Sequence, residues 1–317
     1  MWQCASVPVT NRLRFYRVMY IMLEQQTVYR NHMEELMPYG GVKKPITPIV
    51  KWAGGKRRLL DQILPLVPEY ETYYEPFLGG GALLFAMQPE KAVVNDSNAD
   101  LMDIYRVVQR APEELIALLE EHAAKDSKDY YYEIRALDRD FEQYESLTDI
   151  QRAARFLYLN KTCFNGLFRV NRSGEFNVPY GRYKNPEIVA PDTIRAISEY
   201  LNHSKVRLLS QDYREVFRGI RENAFVYMDP PYMPISETSS FTGYTAAGFD
   251  RQQQTELKKQ CDKLDKKGVK FMLSNSSCDF IAKLYRDYRI EHVKALRSVN
   301  AKGDGRGRVE ELLIMNY

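Results

Sequence analysis

Residues 72–85 read TYYEPFLGGGALLF, an apolar stretch that runs into three glycines and then into a segment that favours a helix. The aromatic residues at 72–77 predict a strand, and Ala82 is expected to begin the helix. A strand, a glycine turn and a helix form the first half of a βαβ unit. This stretch therefore predicts an α/β fold in which a ligand binds beyond the carboxyl end of the strand.

The alternation of short apolar strands and helical patterns continues along the chain. Further strands are predicted at 92–94, 206–209, 225–228 and 269–273, with one helix that begins after Ser97 as its N-cap and ends near 109, and another at 252–267. The segment 112–158 is predicted to be helical and acidic, and 151–186 to be irregular, basic and aromatic. We therefore expect an N-terminal extension of unknown role at 1–44, an α/β domain at 45–100 and 190–317, and a mainly helical insertion at 101–189.

The composition is that of a globular protein, with 44% hydrophobic and 27% charged residues among 317. No segment approaches the roughly 18 consecutive apolar residues of a membrane helix, and arginines interrupt the stretch that an export signal would need. The four cysteines are far apart and there are only four histidines, so no metal site is expected. We therefore expect a cytoplasmic protein with reduced thiols, and the sequence indicates neither a membrane nor an obligate protein partner.

The net charge is only +3, but the basic residues are concentrated in three segments. Residues 43–60 contain six bases and no acid, 151–186 seven bases and one acid, and 294–308 five bases and one acid. By contrast, 113–150 contain twelve acids and four bases. If the basic segments meet on one face, they form a binding surface for a polyanion such as nucleic acid; otherwise they are separate solvated surfaces.

Gly79, Gly81 and Asp96 have the arrangement of a nucleoside-binding site. The glycines follow one predicted strand, and Asp96 ends the next strand, 17 residues after Gly79. Glycines let a ligand approach the backbone closely, and an acid at the end of the second strand can bind ribose hydroxyls. A dinucleotide site would need a third glycine where Leu84 stands, so NAD is disfavoured, and a simple glycine turn is the alternative.

The segment KWAGGK at 51–56 is only superficially like a phosphate-binding P-loop. Val50 occupies the position of the first glycine, and Arg57 replaces the Ser or Thr that would bind magnesium. Nucleotide hydrolysis is therefore disfavoured. Two lysines and a tryptophan remain available for a carboxylate, a nucleobase or a phosphate.

The tetrapeptide Asp229-Pro230-Pro231-Tyr232 directly follows the predicted strand at 225–228. Asp229 and the carbonyl of Pro230 can accept the two protons of an exocyclic amine in hydrogen bonds, which localises the nitrogen lone pair for nucleophilic attack. Tyr232 can stack on the ring that carries the amine. The tetrapeptide therefore indicates methylation of an amine on a planar ring, without a metal or a covalent intermediate; the alternative is a Pro-Pro turn after a strand.

These motifs and their order resemble the Dam-type, class alpha DNA adenine methyltransferases, which include GATC-modifying enzymes of restriction–modification systems. The resemblance covers nearly everything beyond the N-terminal extension. It rests on KWAGGK at 51–56, EPFLGGG at 75–81, NDSN at 95–98, FNGL at 164–167, GEFNVPYGRY at 174–183, DPPY at 229–232 and LSN at 273–275. It implies a Rossmann-like S-adenosylmethionine-dependent methyltransferase fold, with the catalytic domain at 45–100 and 190–317 and a DNA target-recognition domain at 101–189.

The resemblance also implies roles for individual residues. S-adenosyl-L-methionine would be bound by Trp52, Lys56, Asp96 and Asp229, together with Gly79 and Gly81 of the glycine turn, and the target amine would be held by Asp229, Pro230 and Tyr232. Double-stranded DNA would be contacted or supported by Lys51, Phe164, Asn165, Leu167, Arg169, Pro179, Arg182 and Tyr183. Phe164 would enter the base stack where the flipped adenine leaves, Arg169 would read a guanine, and the expected site is GATC.

Other functions are open at this point. The same chemistry could act on a cytosine amine, on RNA or on a protein glutamine amide; the basic insertion disfavours a protein, and the match of the 164–183 segment disfavours RNA. The chain could also be a DNA-binding module without turnover, although the intact Asp229–Tyr232 motif disfavours this, and the apolar residues of the insertion could be core residues. The sequence leaves open whether the enzyme protects host DNA in a restriction–modification system or acts as an orphan methylase.

Overall fold

The computed structural model describes residues 44–233, 249–296 and 308–317. The chain divides into two compact units, one of Met1–Lys44 with Asp61–Val67 and one of Pro45–Leu60 with Pro68–Tyr317. In the first unit, the described residues include the end of a one-turn helix, α1 (Leu60–Ile63), and a 3-10 turn at Leu64–Leu66. Apart from Lys44, the predicted extension at 1–44 lies outside the described residues, as does most of the basic segment at 294–308.

The second unit contains a seven-stranded sheet. Its strands are β1 (Thr72–Glu75), β2 (Lys91–Asn95), β3 (Lys205–Leu209), β4 (Ala224–Met228), β5 (Lys270–Ser276), β6 (Arg289–Leu296) and β7 (Arg308–Met315). Their order is β3-β2-β1-β4-β5-β7-β6, with β1 to β5 parallel and β7 antiparallel to both of its neighbours. The prediction of an α/β fold is confirmed, whereas the antiparallel pair β6–β7 was not predicted.

Helices connect the strands. They are α2 (Ala82–Met87), α3 (Ala99–Arg110), α4 (Pro112–Lys125), α5 (Lys128–Ala136), α6 (Phe141–Ser146), α7 (Asp149–Thr162), α8 (Pro191–His203), α9 (Tyr213–Arg218), α10 (Arg251–Lys266) and α11 (Asp279–Leu284). Helices α4 to α7 lie between β2 and β3, where a helical acidic segment was predicted. Across the described ranges, no helix has the length and apolar character needed to cross a membrane.

Helix α3 is capped by Asn98, so the prediction of Ser97 as its N-cap was wrong. The side-chain oxygen of Asn98 accepts the N–H of Leu101 at 3.0 Å. Asp96 in turn accepts the N–H of Asn98 at 2.9 Å. The Asp96 side chain thus forms an Asx turn with the backbone, and the helix begins one residue later than predicted.

Helix α7 agrees with the predicted helical segment as far as 158 and continues to 162, so the overlapping prediction of an irregular segment from 151 was wrong at 151–162. The helix begins at a capping box in which Thr148 and Gln151 satisfy each other's backbone N–H groups. Its basic residue Arg155 is buried. Its guanidinium lies 2.9 Å from the Asp138 carboxylate and donates to two backbone carbonyls at 2.9 Å. A basic residue can occupy a core position when its charge and its donors are satisfied in this way.

The register of the sheet brings the carboxyl ends of its central strands to one edge. Tyr74 on β1 lies opposite Val226 on β4, which lies opposite Phe271 on β5. Strand β5 extends past its predicted end because β7 pairs with it as far as Ser276, which lies opposite Glu311. All five residues of β4 are buried, so its carboxyl end is a fixed point on which a site can be built.

Replacing Arg155 with alanine is expected to lower the free energy of unfolding by about 3 kcal/mol, because Asp138 loses a buried partner and two carbonyls lose a donor. Chemical denaturation followed by circular dichroism measures this change. The matched control is Arg106→Ala, which removes an exposed pair with Asp103 (2.6 Å) and should cost less than about 1 kcal/mol. Equal losses in the two variants would contradict the role given to Arg155.

Candidate active site

Asp229 directly follows β4 and forms an ion pair with Lys56. The Lys56 Nζ atom lies 2.8 Å from Asp229 Oδ1 and donates a hydrogen bond to the carbonyl of Gly54 at 2.8 Å. The same ammonium lies 4.6 Å from the centre of the Tyr232 ring, and the Lys56 side chain is only 4% exposed. The KWAGGK segment and the Asp229–Tyr232 loop, which are distant in the sequence, therefore form a single site.

The hydroxyl of Tyr232 is held by two strands of the sheet. It lies 2.6 Å from Ser274 Oγ on β5 and donates to Glu311 Oε2 on β7 at 2.6 Å. Glu311 Oε2 also lies 3.7 Å from Lys56 Nζ. Neither Glu311 nor Ser274 was assigned a role from the sequence. Ser274 stood in a matched motif, and the only signal for Glu311 was its place beside Glu310 in the otherwise apolar segment at 309–315.

The backbone around Tyr232 is hydrogen-bonded to buried polar side chains that the sequence analysis also missed. Gln254 on α10 donates to the carbonyl of Pro231 at 3.0 Å. Asn275 accepts the N–H of Met233 at 3.2 Å and donates to Gln254 at 3.0 Å, while Ser276 donates to the Met233 carbonyl at 2.7 Å. These bonds fix the loop that carries the tetrapeptide.

The glycine turn after β1 is bound to the acid that follows β2. Gly79 donates its N–H to Asp96 Oδ2 at 2.9 Å, and Tyr105 donates to the Gly79 carbonyl at 3.0 Å. Gly79 has a φ of +50°, and a side chain there would lie 2.8 Å from Cδ1 of Trp52. Only glycine meets both constraints. Gly81 also has a positive φ, of +66°, and caps α2.

Trp52 lies between this turn and the insertion. One edge of its ring faces Gly79, and one face stacks on Phe168 with centres 5.5 Å apart. Phe168 in turn stacks on Phe156 of α7 at 4.9 Å. The aromatic stack joins the expected cofactor side of the site to the expected DNA-recognition segment.

Burial shifts the pKa values of the acids at the site. It raises the pKa of Glu75 well above its usual range, although the hydrogen bond that Tyr73 donates to the Glu75 carboxyl at 2.9 Å opposes the rise. Burial also raises the pKa of Asp229, to about 6, with the Lys56 ammonium opposing the rise and the Glu311 carboxylate adding to it. Asp229 is therefore mostly ionised at pH 7. Burial and the neighbouring acids raise the pKa of Tyr232 well above its usual range, which keeps its hydroxyl a hydrogen-bond donor.

Lys51 is joined to the insertion through Asn160, a buried residue of α7. The Asn160 side chain accepts the N–H of Lys51 at 2.8 Å and donates to the Lys51 carbonyl at 2.9 Å and to the Gly166 carbonyl at 3.2 Å. Gly166 has a φ of +62°, and a side chain there would collide with that of Lys51. The Lys51 ammonium lies 4.7 Å from the centre of the Tyr183 ring. Lys51 and the turn at 164–166 therefore form one fixed surface.

The segment after α7 forms a turn and a hairpin. Phe164 is 51% exposed, its N–H bonds the Pro179 carbonyl at 2.8 Å, and Asn165 has a φ of +57°. Val170 and Phe176 pair in an antiparallel bridge that closes the hairpin. Phe164 is thus an exposed aromatic residue on a constrained turn, and not a core residue.

Arg169 is exposed and is oriented by Asn177 across the hairpin. Its Nε donates to Asn177 Oδ1 at 2.7 Å, and its Nη2 donates to the Asn177 carbonyl at 3.3 Å. Of the other residues expected to contact DNA, Leu167 is half-buried, Arg182 is exposed with a φ of +55°, and Tyr183 is 37% exposed.

The residues singled out from the sequence thus fall into two neighbouring groups. One contains Trp52, Lys56, Gly79, Gly81, Asp96, Asp229, Pro230 and Tyr232, and the other contains Lys51, Phe164, Asn165, Leu167, Arg169, Pro179, Arg182 and Tyr183. The segment at 51–56 contributes to both. In the part of the chain that the structure describes, no group of three or more His, Cys, Asp or Glu side chains is placed to hold a metal ion.

Comparison with known proteins identifies the family. The model of the D12 class N6 adenine-specific DNA methyltransferases matches residues 52–299. The chain is 46% identical over 273 residues to type II methyltransferase M1.LlaDCHI of Lactococcus lactis subsp. cremoris, which covers 86% of this chain and 96% of the relative. It is 44% identical over 292 residues to type II methyltransferase M.MjaIII of Methanocaldococcus jannaschii, covering 86% and 99%. It is 32% identical over 269 residues to the DNA adenine methylase of Escherichia coli (strain K12), covering 84% and 94%.

The family match covers most of the chain, and the resemblance seen in the motifs is confirmed. The α/β sheet with its helical connections is consistent with the Rossmann-like methyltransferase fold that the resemblance implies. This chain is therefore an enzyme that belongs to the D12 class of N6 adenine-specific DNA methyltransferases.

Proposed function

We propose that this DNA adenine methyltransferase transfers a methyl group from S-adenosyl-L-methionine to the N6 amine of an adenine flipped out of duplex DNA, within the sequence GATC. One observation carries the proposal. The Asp229 carboxylate lies 2.8 Å from the Lys56 ammonium, and that ammonium faces the Tyr232 ring at 4.6 Å. An ionised acceptor and an aromatic ring thus share one edge of the sheet, as methylation of a ring amine requires.

The glycine turn fits the nucleoside part of S-adenosylmethionine. Because Gly79 has no side chain, the Trp52 ring can lie close to the backbone of the turn. Each oxygen of Asp96 accepts one backbone N–H, at 2.9 Å, and a carboxylate oxygen can accept a second bond, here from a ribose hydroxyl. Trp52 borders this turn, and we assign it to the same site.

The charge around Lys56 fits the sulfonium part of the same donor. Asp229 and Glu311 place two carboxylates within 2.8 and 3.7 Å of a single ammonium, which leaves one negative charge in excess. When bound, S-adenosylmethionine supplies a methyl group on a positively charged sulfur. The excess negative charge favours such a cation in a partly desolvated site, and the Lys56 ammonium can pair with the donor's carboxylate.

The residues after β4 activate the amine. Asp229 accepts a hydrogen bond from one N–H of the amine, and the Pro230 carbonyl accepts a hydrogen bond from the other. These bonds localise the lone pair on the nitrogen for attack as positive charge develops. Lys56 keeps Asp229 ionised, because removal of the ammonium would favour the protonated acid in this buried place. The Tyr232 ring stacks on adenine and holds the nitrogen in line. As the new N–C bond forms, the C–S bond of the donor would break with its electron pair left on sulfur, and the methylated amine would then release a proton to Asp229 or to water.

The second group of residues is assigned to DNA. Phe164, exposed on its fixed turn, occupies the gap left by the flipped adenine. Arg169 keeps donors available beyond those used by Asn177 and reads a guanine. The remaining contacts are assigned to Lys51, Asn165, Leu167, Pro179, Arg182 and Tyr183, with the domain limits expected from the sequence.

The biological role is proposed from the relatives. Two of them are named type II methyltransferases, which favours protection of DNA in a restriction–modification system, and another is named a DNA adenine methylase, which keeps an orphan role as the second candidate. Either role places the enzyme with the genome in the cytoplasm. The family supports adenine, and not a cytosine amine or RNA, as the acceptor.

Incubation of the protein with labelled S-adenosylmethionine and a plasmid tests the proposal. Label is expected in the DNA, and nucleases with opposite responses to GATC methylation should exchange their cleavage of the plasmid. If label enters the DNA but cleavage by the two nucleases does not change, GATC is rejected as the site and methyl transfer to DNA is retained. The Asp229→Ala variant should lose transfer and largely keep DNA binding, whereas Asp103→Ala, an exposed matched control, should keep both.

Arg169→Ala is expected to relax discrimination at one base pair of the site by about 1–3 kcal/mol, because a guanine loses its bidentate donor. Transfer rates on duplexes with single substitutions in the site measure this change. Arg172, an exposed arginine of the same hairpin, is the control, and its alanine variant should weaken binding to all sequences alike. If Arg169→Ala lowered transfer equally on all of these duplexes, the role assigned to Arg169 would be contradicted.

The rate is expected to fall as the pH drops through about 6, because the pKa of Asp229 is raised to about 6 and only its ionised form accepts the amine proton. Below this pKa the acid is protonated, so the direction of the effect is loss on acidification. The measurement is kcat/KM for duplex DNA against pH, with circular dichroism as the control for folding. An acid limb near 4, the usual carboxyl range, would show that Asp229 is not perturbed in this way.

A further inference from the structure

Glu311 lies on β7, beyond the residues matched by the family model, yet its carboxylate reaches the centre of the site. Its Oε2 atom accepts the Tyr232 hydroxyl at 2.6 Å and lies 3.7 Å from Lys56 Nζ. The side chain is 15% exposed. An acid on a C-terminal strand thus touches both residues that flank the Asp229 carboxylate.

We propose that Glu311 is a positioning residue for methyl transfer, which sets the orientation of the Tyr232 ring and holds the Lys56 ammonium beside Asp229. The inference rests on the proposed function, because it assigns these contacts to the stacking of the target base and to the acceptance of its amine proton. Glu311 itself touches neither the base nor the methyl donor in this assignment.

The geometry shows how Glu311 acts on the ring. The backbone beside Tyr232 is fixed by Asn275, Ser276 and Gln254, but these bonds leave the ring free to tilt about its side-chain torsions. The hydroxyl at the far end of the ring is the point where a restraint is most effective. Two bonds of 2.6 Å, from β5 and β7, are made at that point. Because β5 and β7 are paired in register, the ring is fixed to the sheet itself.

The direction of the hydrogen bonds makes Glu311 the stronger of the two restraints. Tyr232 has one hydroxyl proton, and Glu311 as a carboxylate can only accept it. Ser274 must then donate to the Tyr232 oxygen. A bond to an ionised acceptor is roughly twice as strong as a neutral one. The restraint therefore depends chiefly on the charge and reach of the Glu311 side chain.

Glu311 also sets the charge that Asp229 experiences. The titratable groups that interact with Asp229 and its neighbours are Lys56, Glu75 on β1, Tyr227 on β4, Tyr232 and Glu311 on β7. Of these, the Glu311 carboxylate raises the pKa of Asp229, because two like charges share one ammonium. Removal of the Glu311 charge should therefore let Asp229 ionise at lower pH.

The test compares Glu311→Gln with Glu310→Gln in the full chain. Glu310 is the matched control, because it precedes Glu311 on the same strand, is 53% exposed and lies 3.5 Å from His292. In Glu311→Gln, kcat on duplex DNA should fall at least about ten-fold, with a smaller change in KM for the duplex. The acid limb of its pH profile should also move to lower pH. Glu310→Gln should match the parent enzyme in kcat, in KM and in the acid limb of the pH profile.

A second variant separates reach from charge. Glu311→Asp keeps the negative charge but shortens the side chain by one methylene. It should lose kcat as Glu311→Gln does, while its acid limb stays close to that of the parent enzyme. In a Tyr232→Phe background, which already lacks the hydroxyl, Glu311→Gln should add less than about a three-fold loss, because the shared contact is already absent.

A readout without turnover distinguishes this inference from the proposed function. In protein labelled with ring-13C tyrosine, the signal lost in Tyr232→Phe belongs to Tyr232. That signal should shift and broaden in Glu311→Gln and Glu311→Asp, but not in Glu310→Gln. If the parent enzyme methylates no DNA but this pattern holds, the proposed function fails and the positioning of Tyr232 stands. If Glu311→Gln matches Glu310→Gln in both the signal and the kinetics, the inference is overturned.

Discussion

Moving a lysine ammonium and an aspartate carboxylate out of water is costly, and Lys56 and Asp229 offset that cost by pairing at 2.8 Å. The Gly54 carbonyl and the Tyr232 ring complete the surroundings of the ammonium. If the ammonium left this place, the Asp229 carboxylate would lose its partner. The pair therefore holds the segment at 51–56 against the end of β4. Because the same segment contacts the glycine turn through Trp52 and the insertion through Lys51, the position of this one pair sets the relation between both groups of site residues.

The sheet explains why the acids meet. In a doubly wound sheet, ligands bind where the strand order reverses, and here that point lies between β1 and β4. Gly79 and Asp96 stand on the β1–β2 side of it, and Asp229 with Glu311 on the β4–β7 side. The site thus divides into two halves with separate chemistry. One half consists of backbone groups and the Asp96 carboxylate that accepts their N–H groups, and the other consists of the charged side chains around Lys56. The antiparallel addition of β7 is what brings a second carboxylate to the charged half.

Much of this could be predicted from local patterns, and the exceptions have physical causes. The five parallel strands and the tetrapeptide after β4 follow from short apolar runs bounded by glycine, proline and acids. The end of helix α7, beyond 158, was missed because Asn160 and Lys161 are polar residues in buried positions, and no local pattern reveals the partners of Asn160. Glu311, Gln254 and Asn160 were missed for a related reason, since each acts through a residue that is distant in sequence and shares no spacing with it. Local periodicity predicts elements, whereas buried polar partners depend on the assembled fold.

The hydrogen bonds of Asn160 limit how segments can be exchanged between related enzymes. This side chain, 109 positions after Lys51 in the sequence, joins Lys51 to Gly166, and position 166 has no room for a side chain beside Lys51. The segment at 164–183 is therefore not a detachable module that begins after α7. A chimaera that imports another enzyme's hairpin has to carry the residue at 160 and a glycine at 166 with it, and has to match the residue at 51. A transplant that replaces only the hairpin would lose the contacts among residues 51, 160 and 166, and the hairpin would then be held in the wrong position.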